Sequence, residues 1–139
     1  MITREQAHDE AMRASIDSIA GYLQEVLGQR ITAYAIGVKD PRTIGRWARG
    51  DGAQRPREAS ALRLRGLFEI TQLLLGREST DTVRAWLMGA NPLLDDRAPL
   101  ELLHKDDHPP VHRTAATDTD AGSGYRTVVS AAEEFVRDA

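Results

Sequence analysis

Cysteine is absent from the 139 residues. Its absence excludes a disulfide framework, a thiolate metal site and cysteine-based nucleophilic catalysis. Long apolar runs are missing as well, since no stretch approaches the roughly 18 apolar residues that a membrane span needs. The opening MITREQAHDE lacks the layout of a secretion signal. Strand signals are nearly absent, because no segment alternates apolar and polar residues for long. A glycine-rich phosphate loop following a strand is therefore excluded too. The expectation is a soluble cytoplasmic protein that has no cofactor and no resident metal.

The charge that is present is unevenly spread. Net charge is -3 at pH 7. Residues 1–28 hold two basic and five acidic side chains, residues 29–66 nine basic against three acidic, and residues 67–139 seven against thirteen. A basic middle in an acidic chain points to a local polyanion site. Arginine-rich solvated helix faces give the same count, so the residue pattern has to decide.

Apolar spacing predicts helices from end to end, packed as a small all-α bundle. Thr3-Arg4-Glu5-Gln6 reads as a capping box. Met12, Ile16, Ile19, Leu23, Val26 and Leu27 then form one stripe, ended by Gly28, with a bend expected at Gly21. A long helix over about 57–75 is apolar on more than one side and stops at Gly76. Ser79-Thr80-Asp81 offers the cap of a shorter helix with Val83, Trp86, Leu87 and Ala90 in phase, and Asn91-Pro92 ends it. Pro99 suits the first position of another helix, which carries Leu100 and Leu103. Residues 104–124 are rich in Asp, Thr, Pro, Gly and His and read as a polar flexible linker. Helical periodicity returns over 125–139 through Val128, Ala132, Phe135 and Val136. That stripe suits the chain's own core and a partner's groove about equally. A chain ending at Leu103 is expected to stay folded.

Residues 31–49 fit two short helices, about 31–36 and 41–49, around a glycine turn. Gly37 takes the positive φ, Ala33 lets the helices approach, and Asp40-Pro41 supplies a cap and a first helical residue. In the second helix Ile44 and Trp47 point inward together, which leaves Arg42, Thr43, Arg46 and Arg49 on the side where a recognition helix meets a major groove. Lys39, Arg55 and Arg57 extend the candidate DNA-binding set. Gly45 stands inside this helix and is expected to leave a gap in its groove-facing side. The organisation expected is an N-terminal helix with the helix-turn-helix over 1–56, a second helical unit over 57–103, the linker over 104–124 and a last helix over 125–139.

The segment resembles the helix-turn-helix of Xre-type regulators, whose second helix commonly ends in a pattern like Ile44-Gly45-Arg46-Trp47. Downstream, Trp86, Asn91-Pro92 and the stretch from Pro99 to Leu103 look like the toxin-binding domain of the Xre/MbcA/ParS antitoxin family. Together the resemblance covers roughly residues 20–103. It implies a type II antitoxin that neutralises a RES-domain toxin, an enzyme that consumes NAD or transfers ADP-ribose. It also implies binding to double-stranded operator DNA, with a homodimer matching a two-fold site. The toxin-binding residues it implies are Trp86, Asn91, Pro92, Leu100 and Leu103, together with Tyr125, Val128, Phe135 and Val136 of a tail reaching toward the toxin's cleft. Trp86 suits core packing as well as the edge of a groove.

Other chemistry is thinner. His104, His108 and His112, with Asp106 and Asp107 between them, have metal-ligand spacing only on a continuous helix, which Pro109-Pro110 forbids. Asp95-Asp96 before a helix start reads as a cap and dipole partner rather than an acid/base pair. No catalytic set emerges. A solitary DNA-binding regulator is the alternative to the antitoxin, and a small metal-dependent hydrolase is the remote one.

Overall fold

A serine, and not the expected glycine, divides the N-terminal helical stretch. In the computed structural model, which describes residues 2–50, 55–105 and 123–137, α1 (Arg4–Arg13) stops at Ala14 and α2 (Ile16–Val26) starts afresh from Ser15. The Ser15 hydroxyl accepts from the Ser18 amide, while the Arg65 Nη1 donates to the carbonyls of Ala11 at 2.7 Å and Ala14 at 2.8 Å. Those carbonyls have lost their helical partners, so a charged donor from a distant segment stabilises the break. Met12 leaves the expected apolar stripe and stands 45% exposed. Gly21, expected to bend the helix, instead lies within α2, and a Cβ there would sit 3.9 Å from that of Ala48. The capping box forms as expected, with Gln6 N–H to Thr3 Oγ1 at 3.1 Å and Thr3 N–H to Gln6 Oε1 at 2.9 Å.

Two glycines with positive φ separate the next helices. Gly28 (φ 90°) links α2 to α3 (Gln29–Ile36), and Gly37 (φ 79°) ends α3. At that end the Val38 N–H returns to the Ala33 carbonyl at 2.9 Å, a left-handed helix stop that only glycine adopts without strain. A short α4 (Arg42–Ala48) follows and packs on α2 and α3 through Ile44 and Trp47, both buried.

The long α5 (Glu58–Leu75) is the wall of the bundle. It packs against α1, α2, α3 and α6 (Thr80–Met88), and against α8 (Ser123–Arg137). Leu64, Leu67, Ile70, Leu73 and Leu74 are buried along it, which matches an apolar set broad enough for several neighbours. After α6, Asn91 organises a compact turn. Its side chain accepts from Leu93 N–H at 3.0 Å, its own N–H reaches the Arg97 carbonyl at 3.1 Å, and Pro92–Leu94 forms a single 3₁₀ turn. Asp95 (φ 56°) and Asp96 (φ 62°) are the left-handed residues that close it. They are exposed turn formers, not the caps expected of them, and Asp is one of the few side chains that tolerates this conformation. Pro99 then opens α7 (Pro99–Lys105) as expected.

The last helix docks on its own chain. α8 packs on α5 and α7 and buries Tyr125, Val128, Val129, Ala131, Ala132 and Val136. Buried apolar residues from every helix form one cluster, so the expectation that a chain ending at Leu103 keeps its fold loses its basis. The eight helices leave no strand among the described residues, and none of these helices is long and apolar enough to cross a membrane.

Candidate nucleic-acid interface

The basic residues of the middle segment separate into groups once α4 is folded. Successive helical residues turn by about 100°, so Arg42, Arg46 and Arg49 fall within an arc of roughly 60°. Ile44 and Trp47 occupy the opposite side and are buried, and Gly45, about 40° round from Arg49, is buried at the flank of the stripe. Thr43 flanks the stripe and is half-buried, while Lys39 is exposed in the turn before the helix. Three arginines thus share one line, Arg42 and Arg49 exposed and Arg46 half-buried, on a helix whose back is locked into a packed unit.

Gly45 does not interrupt that line. It faces inward, where a Cβ would lie 2.7 Å from Gln29 Nε2 and 3.5 Å from Gln24 Oε1. The expected gap in the groove-facing side is therefore a close-approach position. Gln29 donates to Gln24 at 2.9 Å directly behind it, joining α2 and α3 at the point where α4 crosses them.

Arg42 is the one member of the stripe with an anchored side chain among the described residues. Its Nε donates to Asp40 Oδ1 and its Nη2 to Asp40 Oδ2, both at 3.2 Å, and its backbone N–H donates to Oδ1 at 3.0 Å. These bonds from the Arg42 side chain and then its amide hold the Asp40 carboxyl below its ordinary value, and the same carboxylate raises the Arg42 guanidinium. Arg55 lies off the arginine stripe: with Asp17, Trp47 and Arg65 it lines a cleft of about 380 Å³ between α2, α4 and the start of α5. Arg57 is exposed at the residue before α5.

No family model matches the sequence, and no curated protein or solved structure matches it.

The nine residues tied by resemblance to toxin binding divide differently. Leu103, Tyr125, Val128 and Val136 are buried in the chain's own core and present no surface while α8 is docked. Trp86 and Phe135 are half-buried against each other, with ring centroids 5.8 Å apart. Asn91 is buried as the organiser of its turn, Leu100 is half-buried, and Pro92 is exposed. The tail expected to reach into a partner is thus in contact with α7 and the 3₁₀ turn of the same molecule.

Sequence reasoning missed three exposed apolar residues: Met88 at 54%, Leu93 at 58% and Tyr34 at 43%. Tyr34 and Met88 line one shallow groove with Ala98, Leu100 and Glu101. Met88 and Leu93 fall outside the apolar phase of their segments, a signal legible in the sequence but indistinguishable there from incidental exposure. His104 is not in the polar linker. It lies in α7, stacks on Tyr34 with centroids 4.1 Å apart, and pairs through Nδ1 with the Tyr34 carbonyl at 2.8 Å. His108, His112, Asp106 and Asp107 lie outside the described residues. Among those described, no three His, Asp or Glu side chains gather as a metal site.

Proposed function

We propose that this protein is a DNA-binding helix-turn-helix regulator that serves as the antitoxin of a RES-domain toxin and acts on its operator as a homodimer. The observation that carries the DNA reading is the stripe of Arg42, Arg46 and Arg49 on the free side of α4, with Ile44 and Trp47 fixing that helix from behind. A rigid short helix with one cationic edge suits the major groove, where arginine bonds guanine edges or phosphate oxygens. The surplus of basic side chains over residues 29–66 supplies the longer-range attraction.

The antitoxin role rests on the resemblance of Trp86, Asn91-Pro92 and Pro99–Leu103 to the family's toxin-binding domain. Exposed Met88, which shares a groove with half-buried Leu100, and exposed Pro92 and Leu93 in the turn that follows α6 support a protein-facing surface there. In this reading α8 belongs to the scaffold under that surface and does not reach for the toxin as a free tail.

Fluorescence anisotropy with duplex DNA over a salt series tests the first part. Affinity should fall steeply with salt, by about 0.9 in log–log slope for each phosphate neutralised. Arg46→Ala should weaken binding by about 1–3 kcal/mol if it meets a base edge. Binding that ignores both salt and Arg46→Ala would remove DNA from the account. Growth of cells co-expressing a RES-domain toxin from the adjacent gene tests the second part: Met88→Glu with Leu93→Glu should abolish protection and leave DNA binding intact. A chain with no such neighbour and no protective effect is the solitary regulator instead.

A further inference from the structure

The Asp40–Arg42 pair is poorly explained by stability. Both side chains are solvent-facing, Arg42 at 80% and Asp40 at 39% exposure, and exposed pairs of this kind contribute little. Nor does capping require the charge. Asp40 accepts the Arg42 amide at 3.0 Å, a bond that Asn or Ser makes without a carboxylate. On a face read as contacting DNA, an acidic side chain also works against binding, because it repels phosphate.

The geometry gives the carboxylate another use. Its two oxygens engage Nε and Nη2, one lateral edge of the guanidinium. The fork has five N–H donors, so one on Nη2 and two on Nη1 remain. A parallel pair of these, one from each terminal nitrogen, matches the two acceptors O6 and N7 of guanine in the major groove. Arg42 is the first residue of α4, and the N-terminal residues of a recognition helix are those that meet base edges. A guanidinium biased toward this geometry has less rotamer freedom left to lose when the complex forms, which reduces the entropic cost of binding. Phosphate is the poorer partner for it, since the Asp40 carboxylate would be drawn toward a second anion. The neutral guanine edge carries no such penalty. Arg46, which Asp40 attracts only through space, and Arg49 make no hydrogen bond or ion pair among the described residues and suit phosphate.

We propose that Arg42, buttressed by Asp40, is the specificity-determining residue of α4 and reads one guanine in the major groove of duplex DNA. This rests on the DNA-binding reading of the same helix. Asp40 is a positioning residue: it orients Arg42 and disfavours binding to arbitrary sequence.

The test is selection by the full chain from a pool of randomised duplexes, followed by anisotropy on the enriched duplex and a scrambled one. The unmodified protein should enrich a motif with a fixed guanine. Arg42→Ala and Arg42→Lys should lose preference at that position alone, with discrimination there falling roughly 5- to 150-fold. Asp40→Asn keeps the acceptor for the Arg42 amide and so keeps the fold, which urea unfolding verifies. It should lower discrimination at the same guanine and bind the scrambled duplex more tightly than the unmodified protein does. Uniform weakening by Arg42→Ala across all sequences, with a salt slope reduced by about 0.9, would make Arg42 a phosphate contact and overturn the proposal. Unchanged discrimination in Asp40→Asn would overturn the buttress. Failure of the unmodified protein to hold any duplex at low salt would sink the DNA reading itself, and this inference with it.

Discussion

Replacing Arg65 with Met should loosen α1 from the bundle, and the size of the effect follows from two hydrogen bonds. The Nη1 of Arg65 donates to Ala11 O at 2.7 Å and to Ala14 O at 2.8 Å, and the side chain is part-buried. Methionine keeps most of the stem's packing and removes both bonds, leaving the carbonyl of buried Ala11 without a donor. Hydrogen bonds from a charged donor contribute about 1.5–3 kcal/mol each. Water reaches the half-buried Ala14 more easily, so a total near 3 kcal/mol is the expectation. With a urea m-value of about 2 kcal/mol/M, the unfolding midpoint should fall by about 1.5 M. One nitrogen makes both bonds, so Arg65→Lys, which retains a single charged donor, should recover a large part of the loss. Urea unfolding followed by circular dichroism measures the midpoint, and hydrogen exchange locates the change in the amides of α1. A Met variant within 0.5 M of the unmodified midpoint, or a Lys variant no better than Met, would refute the assignment of the Ser15 break to this contact.

Truncation after Lys105 should destabilise severely, because it uncovers the faces of α5 and α7 that bury Tyr125, Val128, Val129 and Val136. At about 1.5–3 kcal/mol per side chain, less the entropy released, several kcal/mol are lost, and calorimetry should find a broad transition or none. Gly37→Val should cost about 1–2 kcal/mol through its left-handed φ of 79°, read as a lower urea midpoint with helix content retained at low denaturant.

What the sequence made legible was whatever depends on neighbours in the chain. The Thr3 capping box, the Ser79 cap, Pro99 at a helix start and the positive φ of Gly37 all follow from residues within one or two turns. The break at Ser15 was hidden because its stabilising donor, Arg65, lies far along the chain and reads there as one more surface arginine. The angle of Gly45 on the helix places it beside Arg49, and only the coordinates show that the amide of Gln29 covers that flank. Asp95 and Asp96 read as caps by their chemistry, and the turn uses their backbone. The arginine stripe of α4 was legible from its spacing, whereas the anchoring of Arg42 by Asp40 needed coordinates. The docking of α8 is not legible in the sequence, because the polar stretch before it gives no information about where the next helix lands.

The reliance of α1 on α5 also orders events during synthesis. Arg65 lies 54 residues beyond Ala11, so at ribosomal speeds of 5–20 residues per second the first helix waits about 3–10 s for its closing contact. Through that interval α2, with Ile19 and Leu23, lacks the wall that later packs against it, and α8 arrives later still. A helical protein usually owes fast folding to contacts between sequence neighbours. Here the unit that carries the arginine stripe is made first and completed late, because its closing donor is the last arginine of the basic segment.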